Sequence, residues 1–138
     1  MRIDAQVAGD ALEWLQLVLQ RTQDLRPVTS KIARGMRDEI IMNFVEQGRP
    51  KWQKLTDKWK RYKVSHGYST QILVQTGKLR SSFGIHYDKQ KATVFTDVPY
   101  SIYHVTGTKR MPKRDFTTIP KTTLDSFSQM VNDYIIRG

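Results

Sequence analysis

The sequence predicts an α+β fold, a small antiparallel sheet packed against N-terminal and C-terminal helices, and three observations carry that reading. Apolar residues recur at helical spacing at both ends of the chain. Between those ends the period shortens to two over runs of aromatic and β-branched residues, which is the signature of strands. Proline, glycine and aspartate fall at the junctions, where they stop one element and open the next. A lone hairpin is marginal in water, so helices are expected to cover it.

The first helix is expected over 7–22, where Ala11, Leu12, Trp14, Leu15, Val18 and Leu19 form one apolar face. Asp24-Leu25-Arg26-Pro27 ends it, because the residue before proline avoids the helical region. A second helix starts close to Pro27, with Thr29 or Ser30 as its cap. It carries Ile32, Ala33, Met36, Ile40, Ile41 and Phe44 until Gly48 and Pro50 stop it. Gly35 inside that pattern costs about 1 kcal/mol relative to alanine, which a close approach by another element would explain. Over 51–68, Trp52, Leu55, Trp59 and Tyr62 interleave with Lys51, Lys54, Lys58, Lys60, Arg61 and Lys63. Leu55, Trp59 and Tyr62 have the spacing of a short helix that Thr56 would cap. The turn composition of 64–70 predicts a mobile stretch.

Strands are expected over 79–87 and 92–96, joined by Asp88-Lys89-Gln90-Lys91. Phe83, Ile85 and Tyr87 share a face of the first, and Val94 and Thr96 share a face of the second. Pro99 opens an aromatic segment, either a single helical turn or a loop, and 114–119 is expected to add a third strand. The final helix covers 122–136, with Thr122 and Asp125 as a capping pair and Pro120 just ahead.

At 138 residues and 38% apolar composition, the chain fits one domain, 1–138, with a modest core. Its parts are a helical region 1–47, a basic and aromatic mobile connection 48–78, a β region 79–119 holding the loop 100–116, and a C-terminal helix 120–138. The absence of cysteine excludes disulfides and thiolate zinc sites and fits a reducing compartment. No apolar run approaches the roughly 18 residues of a membrane span. Residues 1–10 hold no signal-type apolar block, so a soluble protein made in the cytoplasm is expected, with no membrane partner. The net charge of +10, from 23 Lys+Arg against 13 Asp+Glu, attracts polyanions, nucleic acid first among them.

Catalysis finds little support. His66, His86 and His104 fall in no ligand spacing, the carboxylates are scattered, and no phosphate-cradling glycine loop or nucleophile motif occurs, so neither metal nor cofactor is expected. Asp97 near His104 is the one candidate acid–base pair. Two contact surfaces are expected instead. The first, a protein interface, comprises Tyr100, Tyr103, His104, Gly107, Arg110, Met111, Pro112, Arg114 and Phe116, rich in the residue types that anchor interfaces. Tyr103 and Phe116 have the alternative of filling the core edge. The second comprises Trp52, Lys58, Trp59, Lys60, Arg61 and Lys63, the composition that stacks bases and tracks phosphates. Its alternative is that Trp52, Leu55 and Trp59 pack down while the lysines stay solvated.

Three stretches carry a family resemblance: Gly48-x-Pro50-x-Trp52-x-x-Leu55, then Leu73-x-x-Thr76-Gly77-x-Leu79-x-x-Ser82, then Tyr100-x-x-x-His104-x-x-Gly107 with Met111-Pro112-x-Arg114-x-Phe116. In order and spacing they resemble the phage virion-morphogenesis (tail-completion) family. Ser101 stands where that family usually has alanine, and Thr106-Gly107-Thr108-Lys109-Arg110 stands where many members have glutamine before the glycine and a longer polar insert. The resemblance implies a non-enzymatic structural protein of a tailed phage or prophage, a virion component made and assembled in the cytoplasm of the bacterial host. Such a protein completes the tail or joins tail to head as a neck protein. It implies contacts with other copies of the chain, as rings on a sixfold tail, and with tail or head-completion proteins; heterologous contacts that close make rings. Contact with DNA is the further partner that the charge suggests. A basic nucleic-acid-binding domain of unrelated function is the alternative.

Overall fold

The computed structural model describes residues 10–138, and the chain runs α1 (Asp10–Gln23), α2 (Arg26–Val45), α3 (Asp57–Ser65), β1 (Gly84–Tyr87), β2 (Ala92–Phe95), α4 (Ser101–Thr106) and α5 (Lys121–Arg137). The expected helix start at 7 and the reading of 1–9 lie outside the described residues. Among the described residues no helix is long and apolar enough to cross a membrane.

Helix α2 is the element that the hairpin and α5 share. It packs against both strands of the hairpin and, elsewhere on its surface, against α5. Gly35 marks the second contact: a Cβ there would stand 2.8 Å from the Phe127 ring. Toward the hairpin, Phe44 is almost fully buried among Ile40, Trp52, Ile72, Val74, Leu79, Val98 and Phe116. Its ring stacks on Phe116 at 5.6 Å and meets Trp52 edge-on at 5.7 Å. Aromatic pairs in these geometries add about 0.5–1.5 kcal/mol beyond area burial. The hairpin pairs Gly84 with Phe95, Ile85 with Val94, His86 with Thr93 and Tyr87 with Ala92, antiparallel. Ile85 and Val94 therefore oppose each other, both half-buried.

Thr56 caps α3 as its spacing predicts, accepting from the Trp59 amide at 3.2 Å. The other two expected caps do not form. Leu25 occupies the N-cap position of α2 without a side-chain bond, and Pro27 supplies the fixed backbone angle of the first turn. Thr29 is buried instead and donates to the Asp88 carbonyl at 2.7 Å, tying α2 to the hairpin turn. At α5 the N-cap position is Pro120; Thr122 is exposed, and Thr123 donates across to the Glu39 carboxylate at 2.9 Å.

The third strand over 114–119 does not form; among the described residues the sheet has two strands. Side chains have taken the groups a ladder would need. The Asn43 amide donates to the carbonyls of Phe116 (2.7 Å) and Thr118 (2.8 Å), and the Trp52 indole donates to the Asp115 carbonyl at 3.2 Å. The Arg114 amide donates to the His104 carbonyl at 2.8 Å. The segment is thus outside the sheet, tied to α2 through Asn43, to Trp52, and to α4 through its own Arg114 amide. Helix α5 reaches the hairpin only through α2; its own partners are α2 and α1. Arg21 donates to the Ile135 carbonyl at 3.1 Å, and the Tyr134 hydroxyl donates to the Asp24 carbonyl at 2.9 Å.

Candidate functional site

One cleft brings together residues from both stretches that the sequence singles out. It encloses about 730 Å³ and has three walls: 53–63, 73–79 and 100–114. Helix α4 builds the third wall. Tyr100 and His104 lie one helical turn apart, so their rings meet edge to face with centroids 6.0 Å apart. Gly107 then reverses the chain at φ 74, where a Cβ would stand 3.0 Å from the Lys113 backbone nitrogen. Thr108 and Met111 exchange backbone bonds of 2.9 and 3.3 Å to close a tight turn, which carries Arg110 at its tip. The returning chain sets Arg114 under the cleft, where its Nε donates to the Gln53 carbonyl at 3.0 Å and so joins the third wall to the first.

Helix α3 supplies Trp59 and Lys63 to the first wall. Lys63 is buried at 3% exposure, and its ammonium donates to the carbonyls of Gln71 (2.7 Å) and Val74 (3.2 Å). It therefore fastens the second wall to the first. Above it, Gln47 donates to the Ile72 carbonyl at 3.3 Å while its own amide oxygen accepts from the Ile72 amide, pinning the start of the second wall to the end of α2.

The electrostatics of the cleft are one-sided. Lys54, Lys63, Lys78, Arg110 and Arg114 line it, with His104, and among the described residues no carboxylate does. Burial, reinforced by the nearby Arg114 guanidinium, pushes both His104 and Lys63 below their ordinary values. Burial also pushes Arg114 down from its own. Leu55, Leu73, Val74, Leu79, Met111 and Pro112 give the lining its aliphatic part.

The expected interface residues divide. Tyr100, His104, Arg110, Met111, Pro112 and Arg114 line the cleft; Tyr103 is 53% exposed outside it, and Gly107 is the reversal point. Phe116 does not belong to any surface: at 3% exposure it is part of the core. The basic and aromatic set divides likewise. Trp59 lines the cleft, while Lys58, Lys60 and Arg61 stand exposed beyond it. Trp52 and Lys63 are buried, so neither presents itself as an exposed contact; Trp52 packs on Phe44, and Lys63 is consumed by carbonyls.

Two features were not found by periodicity or charge. The wall 73–79 has no helical or strand pattern, and only Thr76-Gly77 hints at its turn. The second is a ladder of rings along α3 and past its end: Trp59 stacks on Tyr62 at 4.8 Å, Tyr62 on His66 at 4.0 Å, and His66 on Tyr68 at 6.0 Å. The i, i+3, i+7 spacing of the first three is visible in the sequence, but a helical stripe does not distinguish stacking outside from packing inside. His86 is exposed in β1, and among the described residues no three His, Cys, Asp or Glu side chains gather as a metal site.

Comparison with known proteins adds what geometry does not. The model of a family described as the phage virion morphogenesis family matches residues 8–134. Two proteins of Haemophilus influenzae (strain ATCC 51907 / DSM 11121 / KW20 / Rd) are similar to the chain. "Mu-like prophage FluMu G protein 1" is 28% identical over 119 residues, covering 83% of this chain and 82% of that protein. "Mu-like prophage FluMu G protein 2" is 27% identical over 141 residues, covering 97% and 95%. No solved structure matches the chain.

Proposed function

The chain belongs to the phage virion morphogenesis family, and from that premise we propose that it completes the tail, or joins tail to head, through ring-forming contacts between copies of itself. Family membership gives it a role in building a phage particle and makes other phage proteins its partners. The names of the two similar proteins support placing it in a phage or prophage of the Mu-like kind. In this reading it works through contacts, carries out no chemistry, and is assembled inside the bacterial host.

The observation that carries the reading is the exposed apolar and aromatic surface of α4. Tyr100, Ile102 and Tyr103 are 43%, 55% and 53% exposed, at the start and along α4, which is tied from behind by the Arg114 amide donating to the His104 carbonyl. Exposed aromatic anchors on a fixed frame lose little entropy on docking, and truncating such an anchor costs roughly 2 kcal/mol or more of binding. Ile102→Ser with Tyr103→Ala is therefore expected to leave melting unchanged while abolishing self-association, read by light scattering, and tail completion, read by electron microscopy. Unchanged association by this variant removes the ring reading.

A second reading, contact with nucleic acid, is favoured by one observation. The ladder Trp59–Tyr62–His66–Tyr68 is flanked by exposed Lys58, Lys60 and Arg61. Stacked rings beside cations suit a single strand, and such binding weakens steeply with salt.

A further inference from the structure

The cleft combines cations at its edge and in its depth with an apolar lining and, among the described residues, no carboxylate, and this combination identifies what it takes. We propose that it receives an acidic linear segment, one that sets an aliphatic or aromatic anchor between carboxylates, from a protein other than this chain. The inference rests on the reading of the chain as a particle-building protein, and it names the chemistry of a partner for that role.

Size comes first. A volume of about 730 Å³ is in the range of clefts that bury a few side chains, roughly 300–1,000 Å³. Charge comes next. Lys54, Lys78 and Arg110 are exposed at the rim, and among the described residues none of their side chains has a hydrogen-bond or ion-pair partner within the chain. Deeper in, the ammonium of Lys63 and the guanidinium of Arg114 hold only neutral carbonyls. Bringing carboxylates among unopposed cations of this kind steers association and fixes register. The apolar lining, with Leu55, Leu73, Leu79 and Met111, asks for an apolar side chain between those carboxylates.

The occupant is not a second copy. This chain's own acidic stretches are committed to helices: Asp10 and Glu13, on either side of Leu12, belong to α1, and Asp38-Glu39 belongs to α2, where the Glu39 carboxylate is already bonded to Arg49 and Thr123. At net charge +10 a second copy brings more cations than carboxylates to a cleft already lined by cations. Nor does the apolar lining suit a phosphate chain, which has no aliphatic group to set against it. The exposed cations of α3 outside the cleft serve that role better.

The test is to pan a displayed library of random peptides against the intact chain and, in parallel, against Lys54→Glu, Lys78→Glu, Arg110→Glu combined. The expected result is enrichment of peptides with Asp or Glu flanking Leu, Ile or Phe on the first protein only. The consensus peptide should lose about tenfold or more in affinity when its acids become Gln, when its anchor becomes Ser, or when the combined variant is the target, since tenfold is only about 1.4 kcal/mol. Circular dichroism checks that the variant is folded; should it not be, the three Gln single variants replace it, each expected to weaken binding by a smaller step. No enrichment, enrichment without acid preference, or equal enrichment on both proteins overturns the proposal. So does displacement of the peptide by oligothymidine whose own binding the variant weakens more, which assigns the cleft to nucleic acid. Self-association that persists where panning fails removes this inference alone. Acidic enrichment by a chain that never associates removes the ring reading alone.

Discussion

Asn43 is the residue on which the two halves of the chain meet. It is fully buried, and all its bonding capacity is engaged: two donors to the carbonyls of Phe116 and Thr118, and an oxygen that accepts from Arg49 Nε at 2.8 Å and, more distantly, from the Thr118 hydroxyl. Arg49 continues the network to the Glu39 carboxylate at 2.7 Å, and Thr123 of α5 joins it from the other side. Removing one partner of a buried bond strands the other, at about 1–3 kcal/mol for each group left without a partner. Asn43→Ala is therefore expected to lower stability by about 3 kcal/mol, and Thr118→Ala, which removes one peripheral hydroxyl, by about 1 kcal/mol. A shift in urea midpoint at constant slope measures both; equal losses would refute the central position of Asn43. The sequence does not announce this residue. It sits inside a helical stripe where Ile41, two positions earlier, has the better claim to burial, yet Ile41 is 36% exposed and Asn43 is buried. Lys63 misleads in the same way, because its two partners are carbonyls of a segment with no pattern of its own.

At the scale of elements, what is local in the chain is legible and what depends on distant partners is not. The helices and the hairpin follow from periodicity, and the cap of α3 follows from Thr56, whose bond spans three residues. The cap assigned to α2 and the third strand miss for one reason, and the cap assigned to α5 for another. Thr29 and the carbonyls of Phe116 and Thr118 find partners far along the chain, in the hairpin turn or on α2, whereas Thr122 misses because α5 already begins at Lys121 with Pro120 in the cap position. The cleft is legible in part: two of its walls are stretches the sequence marks by composition, but their facing each other across 73–79 is a product of the fold. Gly35 shows a correct expectation with an energetic consequence. Alanine there gains about 1 kcal/mol of helix propensity, but its methyl meets the Phe127 ring, and overpacking of this kind costs about 1–3 kcal/mol. Gly35→Ala is expected to lose about 1 kcal/mol net, and the same change made with Phe127→Leu should be neutral or stabilising, because the ring edge is gone. A double-mutant cycle in urea checks this; additivity of the two changes would mean that α2 and α5 are not in contact there.

For the whole molecule the dominant physical fact is unbalanced charge. Against 23 Lys and Arg, the described residues form two ion pairs between side chains, Asp24–Arg26 and Glu39–Arg49. The rest of the positive field acts against compactness. Raising sodium chloride from about 0.01 to about 0.1 M shortens the screening distance from roughly 30 to roughly 10 Å. The melting temperature is expected to rise by about 4 °C, the equivalent of ~1 kcal/mol for a chain of this size. Lys78→Glu should raise the low-salt value and flatten the dependence, and a melting temperature that falls with salt would contradict the argument. The packing of α1 on α5, with Arg21 and Tyr134 bonding across it, has a consequence in time and not in energy. A ribosome makes α1 well before its partner, so a growing chain carries a helix with nothing to rest on until α5 has emerged. A nonsense mutation ahead of α5 would release a product with that surface bare, a substrate for proteases and not a subunit able to enter a particle and block it.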